Sequence, residues 1–111
     1  MGEKAEYGAL TEGVYLILIS MLSPCHGYTV MKHIEMLTGG RVVLGAGTLY
    51  GAINNLLEKG WICAFGHSAE SRKKEYVITP LGKDVLRHET LRLAELVKIG
   101  LNEMEGMGNA N

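Results

Sequence analysis

The sequence predicts a mainly α-helical chain with a small β-hairpin, an α+β fold class. Three observations lead to this prediction. The chain has 111 residues, which fits one domain with an appended helix. Apolar residues recur at helical spacing over residues 46–59, and two short strand-like runs flank a polar turn at residues 66–74.

Composition narrows the class of protein further. The net charge is −1, which argues mildly against nucleic-acid binding, although the distribution of charge matters more than its sum. The two cysteines, Cys25 and Cys63, lack C-x-x-C spacing and do not form a secreted disulfide framework. The apolar run at residues 15–22 is too short to span a bilayer and lacks the flanks of a signal peptide. We therefore expect a cytoplasmic protein without a membrane partner.

Two helices are predicted before the central one. Residues 1–10 are polar and are predicted to form a flexible arm. Thr11 can cap a first helix that ends near Leu22, before Ser23-Pro24. A second helix is predicted over residues 26–38, where Gly39-Gly40 stops it, and Tyr28 and Lys32 share its outward face.

The helix at residues 46–59 has two different sides. Leu49, Ala52, Ile53 and Leu56 fall on one apolar stripe, which is typical of a core-facing surface. The opposite side carries glycines, amides and hydroxyls. Because glycine costs about 1 kcal/mol against alanine inside a helix, two glycines one turn apart indicate that the backbone comes close to another molecule. The residues on this side and its flanks are Gly47, Thr48, Tyr50, Gly51, Asn54, Asn55 and Glu58.

A hairpin with a basic tip follows. Residues 61–65 and 75–79 are each predicted to form a short strand, and Arg72, Lys73 and Lys74 are clustered in the turn between them. Considered alone, the basic cluster favours a solvated hairpin tip over a binding role.

The last helix is predicted from Pro80 to residue 105, with Thr79 as its cap and a disordered tail at residues 106–111. Its apolar stripe is wider than a small domain with its own core needs. We therefore expect it to pair with the same helix of a second copy, although packing back on its own domain is the alternative. The predicted interface residues are Leu86, Leu93, Leu96, Val97, Leu101 and Met104.

Three helices followed by a hairpin form the winged helix-turn-helix arrangement. The sequence thus predicts a winged helix-turn-helix domain at residues 11–80 and a dimerisation helix at residues 81–105. In such domains the second helix of the motif, here residues 46–59, enters the major groove of DNA. The hairpin tip would then lie along the backbone or in the adjacent minor groove.

The sequence also resembles the PadR family of transcriptional repressors, in particular its smaller subgroup with a single C-terminal helix. Five segments match in order and spacing: residues 22–28 (LSPCHGY), 37–40 (LTGG), 47–50 (GTLY), 56–62 (LLEKGWI) and 72–82 (RKKEYVITPLG). The resemblance implies a homodimer that binds an inverted-repeat operator in double-stranded DNA, usually represses, and is often released by a small aromatic or cationic ligand.

The chain departs from the family pattern at the predicted recognition helix. Gly45-Ala46 stands where the family commonly has Ser-Pro, and Gly51 stands where it commonly has Pro. Gly45 is a weaker helix cap than Ser, and Ala46 lacks the fixed backbone angle of Pro. We therefore expect a less rigid recognition helix than in relatives.

Candidate DNA contacts follow from residue type and position. An Asn amide can bond adenine through two hydrogen bonds, and a Thr methyl can meet a thymine methyl, so Asn54 and Thr48 are predicted to face bases. Tyr28, Lys32 and Tyr50 are predicted to hold phosphates, and Gly47 and Gly51 to let the backbone approach. Arg72, Lys73 and Lys74 are predicted to hold the hairpin on the DNA backbone.

Two other functions remain open. Cys25, Cys63 and the four histidines raise the possibility of a metal-responsive regulator, although no pair has zinc-type spacing and we assign no metal ligand. A winged-helix protein–protein module without DNA binding is the second alternative. The sequence contains no nucleophile–base constellation, phosphate loop or paired catalytic carboxylates, so we predict neither an enzyme nor a cofactor.

Overall fold

The computed structural model describes the backbone of residues 8–67 and 73–110, and the side chains as far as Gly106 except that of His67. Three short helices, a two-stranded hairpin and one long helix follow each other along the chain, which confirms the predicted fold class. The elements are α1 (Glu12–Ser20), α2 (Gly27–Leu37), α3 (Ala46–Lys59), β1 (Ile62–His67), β2 (Lys74–Ile78) and α4 (Pro80–Ala110).

Local capping explains where the short helices begin and end. The Thr11 hydroxyl accepts a hydrogen bond from the Val14 N–H at 3.1 Å, which caps α1 as predicted. His26 caps α2 through its ring nitrogen, which accepts from the Thr29 N–H. Helix α3 has the predicted bounds and ends at Gly60, whose φ of 75° lies in the left-handed region that favours glycine. Helix α1 ends two residues before the predicted Leu22 because Met21 already leaves helical geometry.

One apolar core lies between the short helices, the hairpin and the start of α4. The predicted inner stripe of α3 is confirmed, since Leu49, Ile53 and Leu56 are at most 2% exposed. Ile17 and Leu18 of α1 meet this stripe in the same cluster. Full burial of one such side chain stabilises the fold by about 1.5–3 kcal/mol, so this face fixes the orientation of α3.

The hairpin is tied to the start of α2. Strands β1 and β2 pair antiparallel, with Ile62 opposite Ile78 and a bulge between Ala64 and Gly66. Cys25 adds one further bridge, because its N–H and C=O each bond Tyr76 at 3.0 and 2.9 Å. This bridge holds β2 beside the N-terminus of α2.

A dense junction fixes the start of α4 against the hairpin. The Thr79 hydroxyl donates to the Gly60 carbonyl at 2.7 Å and accepts from the Gly82 N–H at 3.0 Å, which confirms Thr79 as the helix cap. The Thr79 N–H also donates to the Trp61 carbonyl at 2.9 Å. Gly82 is buried here, and a Cβ on it would overlap that same carbonyl oxygen.

The C-terminal helix differs from the prediction at its far end. Helix α4 runs to Ala110, so the predicted disordered tail is wrong for residues 106–110, while Asn111 lies outside the described residues. The prediction depended on the small and polar character of this tail, which includes glycines at 106 and 108. Each lowers helix stability by only about 1 kcal/mol, and no proline follows that would remove a backbone donor.

A buried carboxylate joins the N-terminal arm to α4. Glu89 is 1% exposed, accepts a hydrogen bond from the Leu10 N–H at 3.0 Å, and receives two bonds from the Arg92 guanidinium at 2.7 and 2.8 Å. The Arg92 guanidinium holds the pKa of Glu89 below its usual range despite burial. Leu10, which the prediction assigned to a flexible arm, is therefore anchored, while residues 1–7 lie outside the described residues.

Candidate nucleic-acid interface

The outer side of α3 carries the predicted groove contacts in exposed positions. Asn54 and Thr48 are exposed, and Tyr50 is 44% exposed. Gly47 and Gly51 are also exposed, and a Cβ built on either would meet no atom within 4 Å. The packing of this chain therefore does not require glycine at these two positions.

Tyr50 also contacts α2, and the sequence did not predict this contact. Its hydroxyl and ring lie directly against the buried Gly27, where a Cβ would overlap the hydroxyl oxygen. Gly27 is thus a residue of the site that sequence reasoning missed, although it stands in the HGY segment of the family resemblance. Because the ring rests on the first turn of α2, the side chain of Tyr50 holds the outer side of α3 against that helix.

Tyr28, which follows Gly27 in α2, connects the hairpin to the same site. It is 51% exposed, and its ring centroid lies 5.6 Å from the Lys32 ammonium of α2. The ammonium of Lys73, at the base of the hairpin tip, lies 5.1 Å from the same centroid. Two cations from different elements therefore converge on one half-exposed aromatic ring, a geometry stabilised by cation–π attraction.

The hairpin tip itself is described only in part. Lys73 and Lys74 are exposed, as expected for side chains that reach a ligand or solvent. Arg72, the third member of the predicted basic cluster, lies outside the described residues. The site as described therefore consists of the outer side of α3, the first turn of α2 and the base of the hairpin.

The predicted dimer residues on α4 divide into two groups. Leu86 is 6% exposed and packs in the core of its own chain, so it is unavailable to a partner, and Leu93 is half-buried. The other four are exposed, as are Leu91 and Ile99, two apolar residues of α4 that the prediction did not include. Those four are Leu96, Val97, Leu101 and Met104, between 49% and 63% exposed.

Two further features of residues 8–67 and 73–110 concern metal ions and membranes. No three His, Cys, Asp or Glu residues come together there in a group that could hold a metal ion. In the same residues, no helix combines the length and apolar character needed to cross a bilayer.

This arrangement of helices and hairpin defines a winged helix-turn-helix protein. A family model for the PadR-like family of transcriptional regulators matches residues 16–88, which is more than half of the chain. The chain therefore belongs to the PadR-like family, as its sequence motifs indicated. The family consists of transcriptional regulators and not of enzymes, which agrees with the predicted lack of catalysis.

Solved structures support the same assignment. A transcriptional regulator from Clostridium thermocellum superposes with a TM-score of 0.66 at 25% identity, over 83% of this chain and 90% of that one. A PadR family transcriptional regulator from Eggerthella lenta gives a TM-score of 0.64 at 26% identity, over 82% of this chain and 79% of that one.

A curated relative extends well beyond the matched region. A 37.1 kDa protein in transposon TN4556 of Streptomyces fradiae is 34% identical over 73 residues, which amount to 66% of this chain and 20% of that protein. The chain thus spans about a fifth of the length of that relative.

Proposed function

We propose that this chain acts as a symmetric dimer that binds an inverted-repeat operator in double-stranded DNA. It represses transcription there and leaves the DNA when a small molecule binds. One observation carries the proposal: the open, glycine-containing side of α3 is joined through Tyr50 and Gly27 to the ring of Tyr28, on which two lysines converge. Helix α3 then supplies groove contacts, and the lysines supply phosphate contacts.

The distribution of charge supports this proposal better than the net charge does. Lys32, Lys73 and Lys74 lie at the site, whereas several acidic residues lie elsewhere on α4. Helix α3 itself carries a single cation, Lys59, in its last turn. Affinity for DNA therefore depends on a small number of phosphate contacts, and removing any of them should have a large effect.

The dimer is proposed from the exposed surface of α4. The helix has 31 residues, about 46 Å at 1.5 Å per residue, and most of its exposed apolar residues lie in its second half. A helix of this length presents a self-complementary stripe to a copy of itself across a two-fold axis. The two α3 helices would then read two half-sites of an inverted repeat, about one helical turn of DNA apart or a multiple of it.

Selection of bound sequences from a random DNA pool tests the proposal as a whole. The expected result is an inverted repeat with fixed spacing between half-sites. Recovery of sequences with no common motif would contradict sequence-specific binding, and a single unrepeated motif would contradict the dimer.

Asn54 is expected to be a base-reading residue. An Asn54→Ala variant should lose about 1–3 kcal/mol of binding energy per half-site and accept more bases at one position of each half-site. Competition assays with operators altered at single positions measure this relaxation. Asn55→Ala is the matched control, since Asn55 lies beside Asn54 but on the side of α3 that turns towards the N-terminal arm. Equal effects of the two variants would contradict the assignment.

A Gly27→Ala variant should lower the affinity for DNA without a large change in the free energy of unfolding. The added methyl displaces the end of the exposed Tyr50 side chain rather than backbone, so the free energy of unfolding should change by less than about 1 kcal/mol. DNA affinity should fall severalfold, because Tyr50 leaves the position from which it reaches phosphate. The DNA affinity of Tyr50→Phe, which removes only the hydroxyl, should also be lower than that of the wild type. Unchanged DNA affinity in both variants would exclude Tyr50 from the interface.

A further inference from the structure

Phe65 is the unpaired residue of the bulge in the hairpin. The register shifts between Ala64 and Gly66, so Phe65 has no partner on β2. Gly66 follows with a φ of 138°, in the region that favours glycine, so the backbone changes direction here. Because a bulge interrupts the regular alternation of a strand and re-aims a side chain, it sets the direction of the one phenylalanine in the sequence.

Phe65 lies on the outer strand of the small sheet. Strand β2 lies between β1 and the bridge to Cys25, so β1 forms the outer edge. Phe65 is 60% exposed, and the exposed residues around it are small: Cys63, Ala64 and Gly66. One ring among small residues offers too little surface for a stable protein interface, which buries about 800 Å² on each partner. A single aromatic ring is, however, sufficient to enter the gap between two stacked base pairs.

The charges around the bulge favour nucleic acid as the partner of this ring. Lys74 begins β2 and Lys73 precedes it, and both are exposed. The Lys73 ammonium lies 5.1 Å from the centroid of the Tyr28 ring, so the bulged end of the hairpin is the end beside the proposed DNA surface. Glu75 is the one acidic residue within residues 62–67 and 73–78, and it is partly buried. An exposed aromatic ring beside two cations complements stacked bases that are flanked by phosphates.

We propose that Phe65 is an apolar wedge that enters the minor groove and partly unstacks one base step beside the sequence that α3 contacts. Lys73 and Lys74 hold phosphates of the same groove. The wedge bends the DNA towards the major groove and favours a base step that unstacks easily, which is a pyrimidine–purine step such as TA or CA. The inference rests on the proposed DNA-binding function and adds a residue that selects sequence through the deformation of DNA.

Unstacking and bending are measured on the operator obtained by selection from random DNA. The adenine of the preferred TA or CA step is replaced by 2-aminopurine, whose fluorescence rises when it loses its stacked neighbours. Binding of the wild-type chain is expected to raise this fluorescence. Energy transfer between dyes at the two ends of the duplex should also increase, by the amount expected for a kink of about 20–90° at each half-site.

Three variants assign these signals to the ring. Phe65→Ala should leave the 2-aminopurine stacked, bend the operator less and bind it about tenfold more weakly, with an unchanged midpoint of urea unfolding because the side chain is exposed. Phe65→Leu keeps a large apolar side chain and should retain most of the bend. Cys63→Ala is the matched control, since Cys63 is exposed on the same strand before the bulge, and it should behave as the wild type.

Failure of the wedge is distinguishable from failure of the proposed function. If the chain selects no DNA sequence, the proposed function fails and the wedge fails with it. If the chain binds an inverted repeat but Phe65→Ala gives the wild-type fluorescence and bend, only the wedge is overturned, in favour of a contact between Phe65 and a protein. A selected operator without a preferred pyrimidine–purine step outside the α3 contacts would overturn the wedge as well.

Discussion

A Gly82→Ala variant is expected to lose about 3 kcal/mol or more of its free energy of unfolding. The added Cβ would overlap the Trp61 carbonyl oxygen and come within 2.7 Å of Ile78 Cγ1. The obstructing atom is backbone, and it already accepts the Thr79 N–H, so it does not move without breaking the start of α4 away from the hairpin. Overpacking of this kind costs 1–3 kcal/mol in ordinary cores and more where backbone must shift.

Urea unfolding monitored by Trp61 fluorescence measures this loss, since the only tryptophan lies at the affected junction. Gly47→Ala is the matched control. Its Cβ meets open space on an exposed helix, so the control should gain up to about 1 kcal/mol from the higher helix propensity of alanine. Equal midpoints for Gly82→Ala and the wild type would show that the junction relaxes easily and does not fix α4 on the domain.

The same junction illustrates what a sequence can predict. Thr79-Pro80 predicted the start of α4 correctly, because a capping hydroxyl and a proline at the first helical position affect only the backbone of the same turn. The need for glycine at position 82 depends instead on a carbonyl 21 residues earlier. Periodicity and propensity carry no information on such a contact, and only the family motif contained this glycine.

The candidate site also combines features that the sequence predicts with contacts that it does not. The bounds of α3 and its buried stripe were predicted correctly, because the apolar spacing and Gly60 are local signals. The support of Tyr50 by Gly27, and the approach of Lys73 to Tyr28, required the relative placement of three elements. Apart from Gly27, the members of the site could therefore be predicted from the sequence, whereas the contacts between them depend on the fold.

Glu89 shows why long-range polar contacts escape sequence reasoning. Its position beside His88 on a polar stretch of helix resembles a solvated site, or at most a weak metal motif. One of its two partners, the Leu10 N–H, is 79 residues away. A carboxylate of this kind is buried only because Arg92 and a backbone donor compensate for the lost hydration.

The second large effect is expected at the lysines that converge on Tyr28. A Lys32→Gln, Lys73→Gln double variant should bind its operator about ten-thousandfold more weakly or worse at moderate salt. Hydrogen bonds to charged groups contribute about 1.5–3 kcal/mol each, and a symmetric dimer loses four of these contacts. The loss should be similar for operator and unrelated DNA, because phosphate contacts carry no sequence information.

The salt dependence of binding separates this explanation from a general loss of charge. Each phosphate-bound lysine contributes about one unit to the slope of log K against log salt concentration, so the slope should fall by about four in a dimer and by about two in a monomer. A Lys83→Gln, Lys98→Gln variant removes the same charge from α4 and should leave the slope close to that of the wild type. If the two variants change the slope equally, the lysines beside Tyr28 act only through net charge. The convergence of α2 and the hairpin on one ring would then be a feature of packing and not a phosphate site.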